Sequence, residues 1–191
     1  MSDIEDKDLG FTVMMKELNA LSGLSVTTGV HADQSSEMVS NAARHEYGSD
    51  PWTVTSKQAY FMARVLMQID PAAEPARFWG TFRKLRGKIM RIPERSFLRS
   101  TYDRDQLLLQ ELMYQAYDEV LEGRMTARVA LQQFALLSEK IFFDGFAHIT
   151  PPLAALTVAL RPRGDGEGNH MPLVNHGHLR RAVKSYIEGL T

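Results

Sequence analysis

The chain has 191 residues, no cysteine, 44% hydrophobic and 24% charged residues, and a formal net charge of −1. These values fit one folded domain with its own core and exclude wholesale disorder, a disulfide framework, thiolate metal ligation and a cysteine nucleophile. No apolar run reaches the ~18–20 residues of a membrane span, and the start Met1-Ser2-Asp3-Ile4-Glu5-Asp6 is acidic rather than leader-like. The expectation is a soluble protein, made and used in a cytoplasm, with no membrane contact.

Phe11, Met14, Met15, Leu18 and Leu21 recur at helical spacing before Gly23, which predicts a first helix over about 11–22. Residues 24–30 alternate and carry β-branched side chains, as a strand does, with Leu24, Val26 and Thr28 on one face. Ser35 or Ser36 can cap a helix carrying Met38, Val39, Ala42, Ala43 and Tyr47 and ended by Gly48. Residues 50–54 read as an extended connector, and Thr55 with Gln58 forms a capping-box pattern ahead of a helix through Ile69. From Asp70 to Gly87 two prolines and two glycines predict an exposed loop, an arm or flap, leading to a short strand at about 88–91. Pro93 lacks an N–H and suits a first helical turn, so a short amphipathic helical segment with exposed arginines is expected from there. Two long helices follow over about 105–122 and from Thr126 to Gly145 or His148, joined tightly enough to form an antiparallel hairpin. Pro151-Pro152 ends the second; Leu153–Leu160 reads as a short helix or strand, 161–171 as a glycine-rich mobile loop, and 184–187 as a closing strand or last helical turn.

Charge is unevenly placed. Nine Lys/Arg fall between Arg77 and Arg104 against Glu94 and Asp103, whereas Asp105, Glu111, Asp118, Glu119 and Glu122 have no basic residue among them. Such blocks can neutralise each other within a subunit or meet across subunits. The basic stretch 77–104, with Phe78, Trp79 and Phe82 interleaved, gives the alternative reading of a nucleic-acid-binding accessory protein.

Chemistry finds few residues to work with. His170, His176 and His178 are the one group of metal-ligating type, but no thiolate accompanies them and no metal motif spacing is met, so they read as polar turn histidines. His45-Glu46 lacks the second histidine of a zinc helix, since position 49 is Ser. Neither a nucleophile elbow nor a phosphate loop occurs. No catalytic, cofactor-binding or metal-binding residue is assigned, and no cofactor is expected.

Three blocks, Ala42-Ala43-Arg44-His45-Glu46-Tyr47-Gly48-Ser49, Ile92 to Asp103 and Pro172 to Val183, stand in an order that resembles the neck and tail-completion (virion morphogenesis) proteins of tailed bacteriophages. In that family an Ala-x-x-(His/Asn)-Glu-(Phe/Tyr)-Gly block is followed by Pro-x-Arg-x-Phe-(Leu/Met)-Arg and, near the C-terminus, Pro-Leu-(Val/Ile)-x-x-Gly-x-Leu-Arg. The chain departs from it at Asn175-His176, where Asp-Thr is usual, and in 50–91, which looks like an insertion. The resemblance covers about two-thirds of the chain. It implies a non-enzymatic virion protein at the head–tail junction, a homo-oligomeric ring around the DNA channel. Its partners would be tail tube or tail terminator proteins and head–tail connector proteins, with non-specific contact to packaged DNA.

The expected fold is α+β, a helix-rich single domain over 1–191. A small antiparallel sheet from 24–30, 88–92 and the C-terminal segment would pack on the long helical hairpin. The candidate assembly interface is Glu46, Tyr47, Arg95, Phe97, Arg99, Arg180 and Arg181, with Phe97 reading equally as a core residue. Charge reversal at Arg95 and Arg99 is expected to block assembly while leaving the fold intact.

Overall fold

A computed structural model describes residues 10–33, 35–69, 75–154, 157–158, 172–173 and 177–189. In chain order these form α1 (Phe11–Ser22), β1 (Leu24–Val30), α2 (Ser36–Tyr47), β2 (Trp52–Thr53), α3 (Ser56–Ile69) and α4 (Pro75–Leu85). Then come β3 (Ile89–Met90), α5 (Arg99–Leu121), α6 (Ala127–Gly145) with a 3₁₀ turn Phe146–His148, α7 (His178–Ala182) and β4 (Val183–Gly189).

The α5–α6 hairpin carries the fold. Gly123 takes a left-handed φ of 69° in the connecting turn, and the Thr126 hydroxyl accepts the Val129 N–H at 3.4 Å to start α6. Near that turn small side chains set the spacing: Ala116 and Val120 of α5 meet Ala127, Ala130 and Leu131 of α6, closed by Leu21 from α1. At the other end the approach is closer still, because a Cβ on Gly145 would fall on the Thr101 side chain. A second apolar cluster fills that end, with Phe97 and Phe146 fully buried, their rings 5.1 Å apart, among Ala42, Leu109, Phe142, Leu179 and Val183.

β1 and β4 pair antiparallel from Leu24↔Gly189 to Val30↔Val183 and pack on α6. Their inward positions are apolar or mutually satisfied: Val26 faces Ile187, and the Thr28 and Ser185 hydroxyls hydrogen-bond at 2.8 Å. The α+β, helix-rich architecture with an antiparallel ribbon on the helical hairpin is as the sequence predicts, and helix, strand and cap agree at Phe11–Ser22, Leu24–Val30 and Ser35.

Three expectations need correction. First, 88–92 does not join the 24–30 strand. It pairs instead with 52–53 in a separate ribbon, Trp52↔Met90 and Thr53↔Ile89, because Gly87 turns the chain back to donate its N–H to the Val54 carbonyl at 3.0 Å. Second, the expected exposed loop at 70–87 is largely helix. Pro75 occupies the first helical position, and Phe78 and Phe82, four apart, lie in an edge-to-face chain with Trp79 and with Tyr60 of α3. Third, no helix opens at Pro93; 91–98 is irregular and α5 begins at Arg99.

The excursion from Trp52 to Met90 thus closes on itself. Val54, Ala59, Ala63 and Val65 are buried in it yet belong to neither main cluster. Of the two alternatives for 184–187 the strand is taken, within β4, and a short helix, α7, directly precedes it. The expected mobile loop at 161–171, the acidic leader and His170 and His176 lie outside the described residues. Among the described residues no helix is long and apolar enough to cross a membrane.

Candidate functional site

Glu46 sits in the last turn of α2, where a carboxylate opposes the helix dipole of its own helix. It is nevertheless only 4% exposed, because it serves another helix. Its Oε2 accepts the N–H groups of Phe97 and Leu98 at 2.8 and 3.0 Å, and its Oε1 accepts the Arg99 N–H at 3.0 Å and the Ser96 hydroxyl at 2.8 Å. The Arg99 N–H is one that the first turn of α5 cannot satisfy internally, the others lie just ahead of it, and Leu98, the residue before that helix, supplies no side-chain cap. Burial alone would push the Glu46 carboxyl up; the amides of Leu98, Arg99 and Phe97 with the Ser96 hydroxyl outweigh it and hold the group below the ordinary carboxylate range.

The junction is laced further. The Arg95 N–H donates to the His45 carbonyl at 2.7 Å, the Ser49 N–H to the Ile92 carbonyl at 3.1 Å, and the Ile92 N–H to the Ser49 hydroxyl at 2.9 Å. Gly48 ends α2 with a φ of 80°, and a Cβ there would press on Glu94 N and Ile92 O at 3.2 Å. That lacing explains why 91–98 stays irregular: its polar groups are spent on α2 rather than on a helical ladder.

Four of the seven expected interface residues, Glu46, Arg95, Phe97 and Arg99, engage this one junction, and Tyr47 lies at its rim. Three of the assignments, Glu46, Arg95 and Phe97, are corrected by burial. Phe97 is fully buried, and Arg95 is 7% exposed with its Nε and one Nη donating to the Pro151 and Pro152 carbonyls at 3.0 and 3.2 Å. Neither side chain can face a neighbour, and with Glu46 they hold the fold. Arg99 stays half-exposed, bridging the Glu46 carboxylate and Glu94, with its guanidinium 5.1 Å from the centre of the exposed Tyr47 ring. Arg180 is separate: it lies over Phe143 at 3.4 Å and donates to that residue's carbonyl. Arg181 is exposed on α7 beside Gly177.

Comparisons with protein-family models, curated proteins and solved structures find no match.

Beside the junction an open cleft of about 660 Å³ is lined by His45, Trp52, Ile92, Arg95, Pro151 and Leu173. His45 Nδ1 is buried with no hydrogen-bond partner among the described residues; burial, then the nearby Arg95 charge, lower its pKa and favour the neutral imidazole. Among the described residues no three His, Asp or Glu side chains converge as metal ligands.

The surface holds what the sequence reading missed. Leu107, Tyr114 and Leu121, seven apart on α5, are 80%, 67% and 45% exposed. Val129, Leu136 and Phe143 repeat the same spacing on α6 and are also exposed. The signal was the seven-residue period itself. It is masked because α5 is apolar on two sides, with Leu109, Ala116 and Val120 buried on the other.

Proposed function

We propose that this chain is a structural virion protein of a tailed bacteriophage, a neck or tail-completion component. It joins the tail to the head connector as a homo-oligomeric ring around the DNA channel and acts by assembly rather than catalysis.

One observation carries the reading: the three sequence blocks of the resemblance engage one another in space. Glu46 of the first binds the amides of Phe97, Leu98 and Arg99 in the second, and Leu179 and Val183 of the third share a cluster with Phe97. Blocks far apart in sequence therefore form one structural unit, as expected of residues that mark a common fold. The exposed apolar stripes on α5 and α6 add support, since large exposed apolar side chains in rows mark contact surfaces.

The test is electron microscopy of virions assembled without this chain. Unjoined heads and tails, or malformed tail ends, are expected; normally joined particles would refute the proposal.

A further inference from the structure

The formal charge of −1 hides a spatial division. The closed excursion 52–90 carries seven Lys/Arg and two Asp/Glu, whereas the rest of the chain carries 15 and 21. Both sides expose helix faces. On α4, Trp79, Arg83 and Arg86 follow at spacings of four and three and are all exposed, while Phe78 turns toward Tyr60 of α3 and Phe82 stands edge-on to Trp79. On the outer side of α5, Leu107, Glu111, Tyr114, Asp118 and Leu121 follow at the same alternation of four and three, again all exposed. Within one subunit α4 packs on α3, and α5 packs on α6 and α1, so neither of these outer faces is covered by those partners.

We infer that copies of this chain associate head to tail, the basic α4 face of one subunit (Trp79, Arg83, Arg86) seating on the acidic α5 face of the next (Glu111, Tyr114, Asp118). The opposite signs decide the pairing. A contact that set either face on its own copy would oppose like charges, whereas a contact between the two different patches pairs opposite ones and, made once between successive subunits, propagates into a ring or a filament. Lengths match, since α4 runs about 16 Å and residues 107–121 about 21 Å at 1.5 Å per residue. Each face presents an aromatic ring beside charges, the composition of a contact with an apolar centre and a polar rim. Double-stranded nucleic acid would use the arginines but not the aromatics, and a single strand would need a run of free ring faces, whereas Phe78 and Phe82 stand edge-on to Trp79 and Phe78 also to Tyr60 of α3. A second copy uses both features.

This inference rests on the ring proposed above, and its test separates the two. Full-length protein is followed by sedimentation velocity over a range of concentration and salt, with R83E/R86E, E111K/D118K and the four-substitution combination as variants. Wild type is expected to form species larger than a dimer at low salt and to dissociate as salt rises. Each two-site reversal should raise the dissociation constant at least about tenfold, and the combination, in which both signs are exchanged, should recover association. Unchanged circular dichroism of the variants shows that the fold is kept. A wild type that stays monomeric at low salt and high concentration overturns the inference. So does a combined variant that fails to recover, or an R83E/R86E protein that self-associates normally but loses affinity for a double-stranded DNA fragment. Association through these faces with normally joined particles in the chain's absence would leave the interface standing and remove the neck proposal; unjoined particles with a monomeric protein would do the reverse.

Discussion

Replacing Glu46 by alanine should be among the most damaging single changes to this protein's stability. The substitution leaves the Phe97 N–H buried without an acceptor, strips the first turn of α5 of its only described cap from outside the helix, and removes the negative charge that complements that helix's dipole. An unpaired buried donor costs about 1–3 kcal/mol, a lost cap about 1 kcal/mol and the charge–dipole contact about 0.5–1 kcal/mol, so the loss should be about 3–4 kcal/mol. For a chain of this size that corresponds to a fall of about 10 °C in Tm. Urea and thermal denaturation followed by circular dichroism measure it, and a loss below about 1 kcal/mol would refute the assignment of Glu46 as the α5 cap. Glu46→Gln adds a test by pH. The folded carboxyl is held below its ordinary range, so its contribution is complete above the unfolded value of about 4.3 and disappears as pH falls through the folded value. The wild-type advantage over Glu46→Gln should therefore be constant near neutrality and shrink on acidification; an advantage that grew in acid would reverse the sign of the argument.

Other outcomes follow from the same contacts. Arg95→Glu, which the sequence alone predicts to spare the fold, should instead destabilise it by about 3–5 kcal/mol, because a buried fork on two carbonyls becomes a buried carboxylate facing them; recovery of folded protein from expression, with its melting curve, checks this. Gly145→Ala should cost about 1–3 kcal/mol by driving a methyl into Thr101, and Thr101→Ala in the same chain should recover part of that cost; a double-mutant cycle with no coupling would contradict the close approach. Thr55→Ala removes the hydroxyl that accepts the Gln58 N–H at 3.3 Å and should cost about 1 kcal/mol in urea denaturation. Tyr47→Ala, at an exposed ring, should stay within about 0.5 kcal/mol of wild type in the same measurement.

Local chemistry made much of the fold legible. Gly23, Ser35, the Thr55–Gln58 box, Gly123 and Thr126 mark ends that the structure uses, because caps and stops act over three or four residues. What escaped is non-local. Glu46 looks misplaced at the C-terminal end of its own helix, and its purpose appears only when residues 51 to 53 positions away come to meet it. Arg95 reads as a surface charge until the carbonyls of Pro151 and Pro152 enclose it. The helix over 75–85 was hidden by the prolines and glycines of the stretch 70–87, though Pro75 is placed where a helix tolerates it and Phe78 and Phe82 stand one turn apart. The junction residues stand within the blocks that carry the resemblance, but burial decides which of them hold the subunit together and which, like Tyr47 and Arg99, stay exposed.

The short β2–β3 ribbon also has a bearing on how such a subunit can change. The chain departs at Thr53 and returns at Ile89 on adjacent, antiparallel strands, so the two ends of the intervening segment are already side by side. A tight two-residue turn could bridge them, and everything between could be shortened, lengthened or exchanged without moving α2, α5 or the sheet that closes the termini. The frame and the arm are then free to diverge at different rates: one subunit body could be refitted to a new neighbour by grafting a single contiguous stretch of sequence.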